Sequence, residues 1–548
     1  MDASHDQIDD TSLESGAARE GTLPTESVRH SMSFWMVILA LTLAAIIGTL
    51  DSGVVTTALP TIVEDLNMGA NYIWVTNIYL LTSAVFQPLF GQLSDLWGRR
   101  WVFICTVALF VLGSGLCGGA SNGEMLIAGR GVQGVGAGGI SVMAELIVCD
   151  LVPLRERGKY IGIILGGATT ISGLSPLFGG ALAKAGAWRW IWYLNLPVGG
   201  TSIVIALIWL KLSHRRDGTS LDRIRRIDWI GTIIITASTV AILYSLAYGG
   251  TLKPWSDPAI IAGLTAGHAG LGLFIIWEAM PQCREPLIPL RFFSNRTSAA
   301  AFFLTFTNSL IIIWVVFVFP IYFQAVLRGT PQDSGVWLLP TVIMFPIGAG
   351  IAGGLMSKTG RYRPIHMVGF ALSTLGVGLC SILNKNSHKA VWVILQLILA
   401  LGLTTPIPCL LSAVQVELSD DDSASSTSTW SFIRSFGSIW GAAIPGAIFN
   451  DHFGQLLPLI RDQQVRDSLA DGQAYAKVSV SIINSYSNAI RDEVIEVYSM
   501  SLQRVWEIGI VFAGVSLLVV FLEKELVMRQ DLKTDFGLRE RKGEDTSH

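Results

Sequence analysis

Fourteen apolar stretches of about 20 residues each run through the chain, at 35–59, 72–92, 101–121, 124–148, 160–183, 190–212, 229–249, 259–280, 299–325, 337–356, 364–384, 390–412, 429–449 and 505–523. At about 1.5 Å per residue, a helix of that length crosses a hydrocarbon core of about 30 Å. Backbone in lipid must satisfy its own hydrogen bonds, so only helices or a closed barrel can span. Barrel strands would be about half as long and would alternate in polarity. The pattern therefore predicts an all-α polytopic membrane protein with fourteen transmembrane helices.

The polar connections set an orientation. With the N-terminus placed inside, the short inward loops carry seventeen lysines and arginines and the outward ones six. That excess puts both termini in the cytoplasm. One inner loop, 417–428, has no basic residue and contains Asp420, Asp421 and Asp422. The segment 450–504 falls outside, with a surface helix expected within 474–500. The sequon Asn295-Arg296-Thr297 falls inside and should stay free of sugar.

Composition agrees with lipid as solvent: 51% of the 548 residues are hydrophobic and only 14% charged, against about 25% charged in soluble domains. The 56 glycines lie mostly in the apolar runs, where small residues let helices approach closely. The six cysteines are scattered singly and read as small core residues rather than disulfides or metal ligands. Residues 1–33 are polar and resemble no signal peptide.

Two inner loops repeat one another. Gly91-Gln92-Leu93-Ser94-Asp95-Leu96-Trp97-Gly98-Arg99 and Gly353-Gly354-Leu355-Met356-Ser357-Lys358-Thr359-Gly360-Arg361 share the spacing G-x-L-x-[D/S]-x-x-G-R. Duplicated halves mark many secondary transporters. With these loops the chain resembles the major facilitator superfamily, and within it the fourteen-span drug:proton antiporter branch of fungal type. Leu50-Asp51-Ser52-Gly53 through Pro60, Arg130-Gly131-Val132-Gln133-Gly134, Trp188-Arg189-Trp190 through Pro197 and Tyr248-Gly249-Gly250 are similar to that branch's other motifs. In its fifth-span antiporter motif, Pro176, Gly179 and Gly180 match, while Ser175 replaces a glycine.

The resemblance implies the major facilitator fold: two six-helix bundles around a midplane cavity, plus two extra spans between them. The expected divisions are a cytoplasmic tail 1–33, a first bundle 34–212, a basic linker with two extra spans 213–298, a second bundle 299–523 and a cytoplasmic tail 524–548. It implies a gate built on Gly91, Asp95, Gly98, Arg99, Gly360 and Arg361. Asp95 would clasp Arg99 and the amino end of a helix in the other bundle, with Glu145 as a possible third member. The plainer reading is a charged turn that sets topology.

Asp51 and Arg130 are the deepest charges of the first half. Such charges are costly in a membrane and face a cavity or each other. They form either a fixed ion pair or a proton-coupling site in which Arg130 tunes Asp51. Arg434 either neutralises an anionic substrate or snorkels to headgroups. Asn77, Gln133, Asn308, Gln324 and Arg434 are the substrate-binding candidates. With Gln87, Gln396, Trp74, Trp314 and Phe323 they suggest a mostly apolar pocket with a few orienting groups.

Other motifs lead nowhere. Gly134-Val135-Gly136-Ala137-Gly138-Gly139 fits a dinucleotide pattern but lies mid-span, where close helix packing explains it. Ser357-Lys358-Thr359 lacks the glycines of a phosphate loop. His268, read as the one histidine well inside a span, has no ligand set beside it. No cofactor, nucleic-acid partner or enzymatic centre is expected. The expected function is proton-coupled export of amphipathic small molecules (drugs, toxins or secondary metabolites) by a monomer, in the plasma membrane or the vacuolar membrane. A proton symporter for a siderophore-type nutrient, a vacuolar amino-acid carrier and a non-transporting solute sensor are the rivals.

Overall fold

The computed structural model describes residues 31–529, apart from 67, 69–72, 174, 213–219, 251–252, 471 and 477–479. Residues 1–30, 530–548 and part of the basic linker therefore lie outside the described residues, as do the side-chain surroundings of Pro176 and Gly180.

The first half of the chain folds as α1 (Met32–Asp65), α2 (Ile73–Val85), α3 (Gln87–Trp97), α4 (Arg99–Gly118), α5 (Gly123–Leu151), α6 (Leu154–Ser172), α7 (Ser175–Lys184), α8 (Trp190–Tyr193) and α9 (Asn195–Trp209). A short α10 (Ser220–Arg226) leads into α11 (Trp229–Tyr248) and α12 (Pro258–Ala279). The second half comprises α13 (Arg296–Ile321), α14 (Pro331–Trp337), α15 (Leu339–Thr359), α16 (Arg363–Cys380), α17 (Lys389–Thr404), α18 (Ile407–Gln415) and α19 (Ser423–Leu456). Short helices α20 (Gln463–Leu469), α21 (Gln473–Ala476) and α22 (Val480–Ser485) precede α23 (Asn488–Val520).

Local chemistry sets many of these starts. The side chains of Asn122, Asp228, Asp257 and Asn295 each accept a hydrogen bond from a first-turn N–H, and Pro258 opens α12 where its missing donor costs nothing. Thr330 and Asp333 form a reciprocal capping box at α14.

Among the described residues, eleven helices are long and apolar enough to cross a membrane. The other three expected spans are helical but fall short for identifiable reasons. The run 72–92 is divided at Phe86 into α2 and α3; α6 begins with Arg155, Glu156, Arg157 and Lys159; and α16 begins with Arg363, Pro364 and His366. The connection expected at 450–504 contracts to 457–487, because α19 runs on to Leu456 and α23 starts at Asn488. Large apolar side chains such as Trp35, Ile233, Ile275, Val368, Val511 and Leu518 point outward, where lipid replaces water as their solvent.

α1, α2, α4, α5, α6 and α9 pack on one another, and so do α13, α15, α16, α17, α19 and α23. α11 and α12 pair as a hairpin that leans on α2, where Trp74 donates to the Tyr248 hydroxyl at 2.8 Å and Tyr244 stacks on Tyr248. The glycine run of α5 is a packing surface: a Cβ on Gly134 would meet Thr82 at 2.1 Å, on Gly136 the Phe110 backbone at 2.4 Å, and on Gly138 the Ser83 carbonyl at 2.1 Å.

The cysteines divide. Cys117, Cys149, Cys380 and Cys409 are buried, whereas Cys105 is exposed and Cys283 half-buried in a loop, so neither of these two is a core residue. His268 lies mid-helix in α12 with its side chain exposed, while His366, in the first turn of α16, is fully buried against Glu523 at 3.0 Å. Beyond α23 the chain straps across the second repeat loop. Met528 N–H donates to the Gly360 carbonyl at 3.0 Å, the Tyr362 hydroxyl donates to the Lys524 carbonyl, and Arg361 pairs with Glu525 at 3.2 Å.

Candidate functional site

The two repeat loops occupy matching places on opposite halves. Gly98 (φ 87°) and Gly360 (φ 67°) both adopt the left-handed backbone that ends one helix and redirects the next, which explains glycine at the eighth motif position. The first motif glycine of each copy lies against the other half. A Cβ on Gly91 of α3 would meet Ser428 Oγ of α19 at 2.3 Å, and one on Gly353 of α15 would meet the Gly158 carbonyl of α6 at 2.8 Å.

The charges then differ between the copies. Arg99 is buried and donates to Asp95 at 2.6 Å, to Asp150 at 2.9 Å and to Ser94 at 3.2 Å. The third member of this cluster is Asp150, one residue before the end of α5, and not Glu145. Among the described residues Asp95 receives no hydrogen bond from the amino end of α19; the contact between halves at this corner is Gly91 on Ser428. In the second copy, where Ser357 stands for the aspartate, Arg155 of α6 reaches across to the backbone carbonyls of Ser357 and Lys358. One corner is held by close packing and the other by an arginine on helix-end carbonyls, whose partial negative charge favours a cation.

Between these corners lies a further layer. Arg157 donates to Gln415 at 2.6 Å, and Gln415 donates in turn to Ser426 and Thr427 beside the Cys149 thiol. One turn deeper, Glu145 of α5 forms an ion pair with Arg434 of α19 at 2.6 Å. Ser431 donates to Glu145 at 2.6 Å, Arg434 donates to Ser141 at 2.7 Å, and the Arg434 guanidinium sits 4.5 Å over the Trp430 ring. Arg434 therefore neither snorkels nor stands free.

Immediately beyond this pair opens a cavity of roughly 210 Å³, walled by Gly48, Thr49, Tyr79, Ser83, Gln87, Gly138, Ser141, Ile161, Ile164 and Leu165, with Glu145 and Ser435 on its floor. Its wall is mostly apolar with a few hydroxyls and one carboxamide. Gln87 and Ser435 bond to each other across the two halves at 3.0 Å.

Asp51 and Arg130 do not themselves line that cavity. Both are buried, and Arg130 donates to Asp51, to Gln133 at 2.6 Å and to the Val75 carbonyl at 2.9 Å, while its guanidinium lies 4.1 Å over Tyr79. Gln133 and Asn195 also donate to Asp51, at 2.8 and 3.3 Å. Every partner belongs to the first half, and Gln133 is consumed by this network. The other substrate candidates are dispersed: Asn308 is buried in α13, Asn77 and Gln324 are half-buried, and none of these three contributes to the wall described above. Gly179 is buried in α7. Sequence reasoning missed the pairing of Glu145 with Arg434 because the two residues are 289 positions apart. The signal within reach was the spacing of Gly134, Ala137, Gly138, Ser141, Ala144 and Glu145, one face of a helix that is small until its last position.

Residues 41–442 match the family model of the Major Facilitator Superfamily. The chain is 43% identical over 545 residues to an MFS-type efflux transporter of Aspergillus flavipes, covering 99% of this chain and 93% of that one. It is 42% identical to an MFS efflux transporter of Aspergillus oryzae, covering 92% of each. The fold is similar to that of a human organic anion transporter (TM-score 0.55, 12% identity, 90% of this chain and 100% of that one) and of a proton:xylose symporter (TM-score 0.53, 11% identity, 88% and 95%).

Proposed function

The chain belongs to the major facilitator superfamily and is a multi-pass membrane transporter of small molecules rather than an enzyme, and from that premise we propose that it exports amphipathic organic compounds in exchange for protons by alternating access. Fourteen crossings, both termini in the cytoplasm, a monomer and a plasma-membrane location complete the reading. The two six-helix halves rock against each other, and the α11–α12 hairpin touches both, through Tyr248 to Trp74 of α2 and through Gly250 to Asn450 of α19. Export is favoured by the relatives named as efflux transporters at over 40% identity.

The observation that carries the coupling is the Glu145–Arg434 pair, because it joins the two halves at the floor of the cavity. Asp51 keeps all its partners in one half, so opening leaves its surroundings unchanged. Glu145 loses its cation whenever the halves part at the loop end. A buried carboxylate without a partner takes a proton rather than stay charged. A proton arriving through the cavity thus neutralises Glu145, frees Arg434 and lets the cytoplasmic end open. Proton release to the cytoplasm and loading of the cargo re-form the pair and close it.

The available driving force suffices. One pH unit contributes about 1.4 kcal/mol, and 100 mV adds about 2.3 kcal/mol. Together they support roughly a 500-fold gradient of a neutral solute at one proton each. The few hydroxyls and Gln87 in an apolar wall suit a cargo with a greasy body and a small number of polar groups. The decisive experiment is purified protein in sealed vesicles with an imposed pH difference and a panel of amphipathic compounds. Flux that reverses with the gradient is expected; indifference to it for every compound that moves would overturn proton coupling.

Asp51→Asn separates the two acids. Leaving Arg130 buried without its carboxylate should destabilise the protein by about 3 kcal/mol, read as a lower melting temperature in detergent, while the flux that remains keeps its pH dependence. A normal melting temperature with lost pH dependence would move the coupling site to Asp51.

A further inference from the structure

At the loop end of the α11–α12 hairpin, three groups with metal-binding atoms converge. The carboxylates of Asp228 and Glu278 and the thiol of Cys283 lie within 4.8 Å of one another. Asp228 caps α11: its Oδ1 accepts from Gly231 N–H at 2.9 Å and from Trp277 Nε1–H at 2.9 Å. Its Oδ2 is buried and has no hydrogen-bond partner among the described residues. Asp228 Oδ2 and Glu278 Oε1 both crowd Gly231, where a Cβ would meet them at 1.9 and 3.1 Å. Glu278 is held in place by the Leu287 and Ile288 N–H groups at 3.1 and 3.3 Å. Asp228 and Glu278 are each more than nine-tenths buried.

Among the described residues, neither carboxylate forms an ion pair with a lysine, arginine or histidine. The neighbouring Arg226 is committed to Glu285 at 2.5 Å. Two buried carboxylates side by side cannot both stay charged without a cation between them. The third donor selects among cations. Calcium and magnesium take oxygen ligands, whereas a thiolate with carboxylates suits zinc or cadmium. Donors about 2.0–2.3 Å from one Zn²⁺ stand roughly 3.3–3.8 Å apart, so small side-chain adjustments bring these three into range. Burial, with Asp228 alongside, pushes the Cys283 thiol up to about 12.

We propose that Asp228, Glu278 and Cys283 form a binding site for a zinc-class divalent cation, with water completing the coordination. The bonds that orient the two carboxylates, from Gly231, Trp277, Leu287 and Ile288, are of the kind that outer partners of a metal site supply. Its place gives it a consequence for the gate. The Asp228 N–H donates to Gln92 Oε1 at 3.3 Å, and Gln92 Nε2–H donates to the Glu285 carbonyl at 2.9 Å. Gln92 lies on α3, one turn before Asp95. A bound cation ties the base of the hairpin to the helix that carries the first repeat loop.

The test uses the full chain, purified in detergent, stripped with a chelator and equilibrated with Zn²⁺ alone, then with Cd²⁺ alone. One equivalent of Zn²⁺ per chain should survive desalting and raise the melting temperature, and Cd²⁺ should add a thiolate charge-transfer band. Cys283→Ser should remove the band, and Asp228→Asn, which still caps α11, should weaken binding by more than the roughly 10- to 100-fold that loss of an outer partner costs. Failure of the wild-type chain to retain Zn²⁺, or equal retention by both variants, would overturn the site and leave a shared proton as what neutralises the two acids. Neither result bears on proton-coupled export, which is read in vesicles.

Discussion

Glu145→Gln is expected to erase the pH dependence of transport and to slow proton-driven flux. The amide cannot give up a proton, so the step that pairs cargo release with proton uptake is lost. The geometry also predicts a shift in resting conformation. Glutamine still accepts from Ser431, but Arg434 loses its counter-charge at a site where Glu145 is almost fully buried and the Arg434 side chain is 21% exposed. Breaking a buried pair by removing one partner costs about 3–5 kcal/mol. With the amide retained and Arg434 partly exposed, about 2 kcal/mol is the reasonable figure, a roughly 30-fold shift away from the closed loop end. Flux in vesicles at two pH values checks the first expectation. Labelling of Cys149, buried beside Gln415 and Thr427 behind this layer, by a water-soluble maleimide and read peptide by peptide checks the second. Unchanged flux with an unchanged pH profile would remove Glu145 from the mechanism.

Gly91→Leu should be at least as damaging, through packing alone. Even a methyl group there would lie 2.3 Å from Ser428 Oγ, 2.6 Å from its Cβ and 3.3 Å from the Ala424 carbonyl. Both partners sit on the opposite half, so the leucine acts as a wedge between α3 and α19 and not within one bundle. The halves then cannot meet at the loop end, and the transporter is held open there. Transport should fall to background while membrane insertion and the melting temperature of each half change little, and Cys149 should become reactive. Gly91→Ala should give a smaller loss, and a compensating Ser428→Gly in the leucine variant should recover part of the flux. A leucine variant with wild-type transport would show that this corner does not close during the cycle.

Much of the architecture was legible because lipid imposes a simple rule. A run of apolar residues long enough to span must be a helix, and the runs mark where the helices lie. Their ends were less legible. α19 and α23 extend well past their apolar cores, at Leu456 and Asn488, because polar residues continue a helix once the chain leaves lipid. The repeat loops were readable from glycine and arginine spacing, and the left-handed backbone of Gly98 and Gly360 gives that spacing its reason. What did not show was pairing between distant helices. Arg99 meets Asp150, Arg155 meets the carbonyls of Ser357 and Lys358, and Glu145 meets Arg434. Each pairing depends on which faces two helices turn toward one another, a property of the assembled bundle rather than of any local window. The polar residues picked as cargo contacts scattered for the same reason: Gln133 satisfies Asp51 instead of facing the cavity.

The strap over the second repeat loop makes the chain's far end part of its working parts. Trimming by an exopeptidase should become disabling once it removes Arg529, which donates to the Leu418 carbonyl, and then Met528. Once Met528 is gone the Gly360 carbonyl loses its donor, and once Glu523 is gone the buried His366 ring loses its carboxylate. A buried polar group left unmatched costs about 1–3 kcal/mol. Partial digestion should therefore yield two populations, intact pumps and failed ones, with few of intermediate speed.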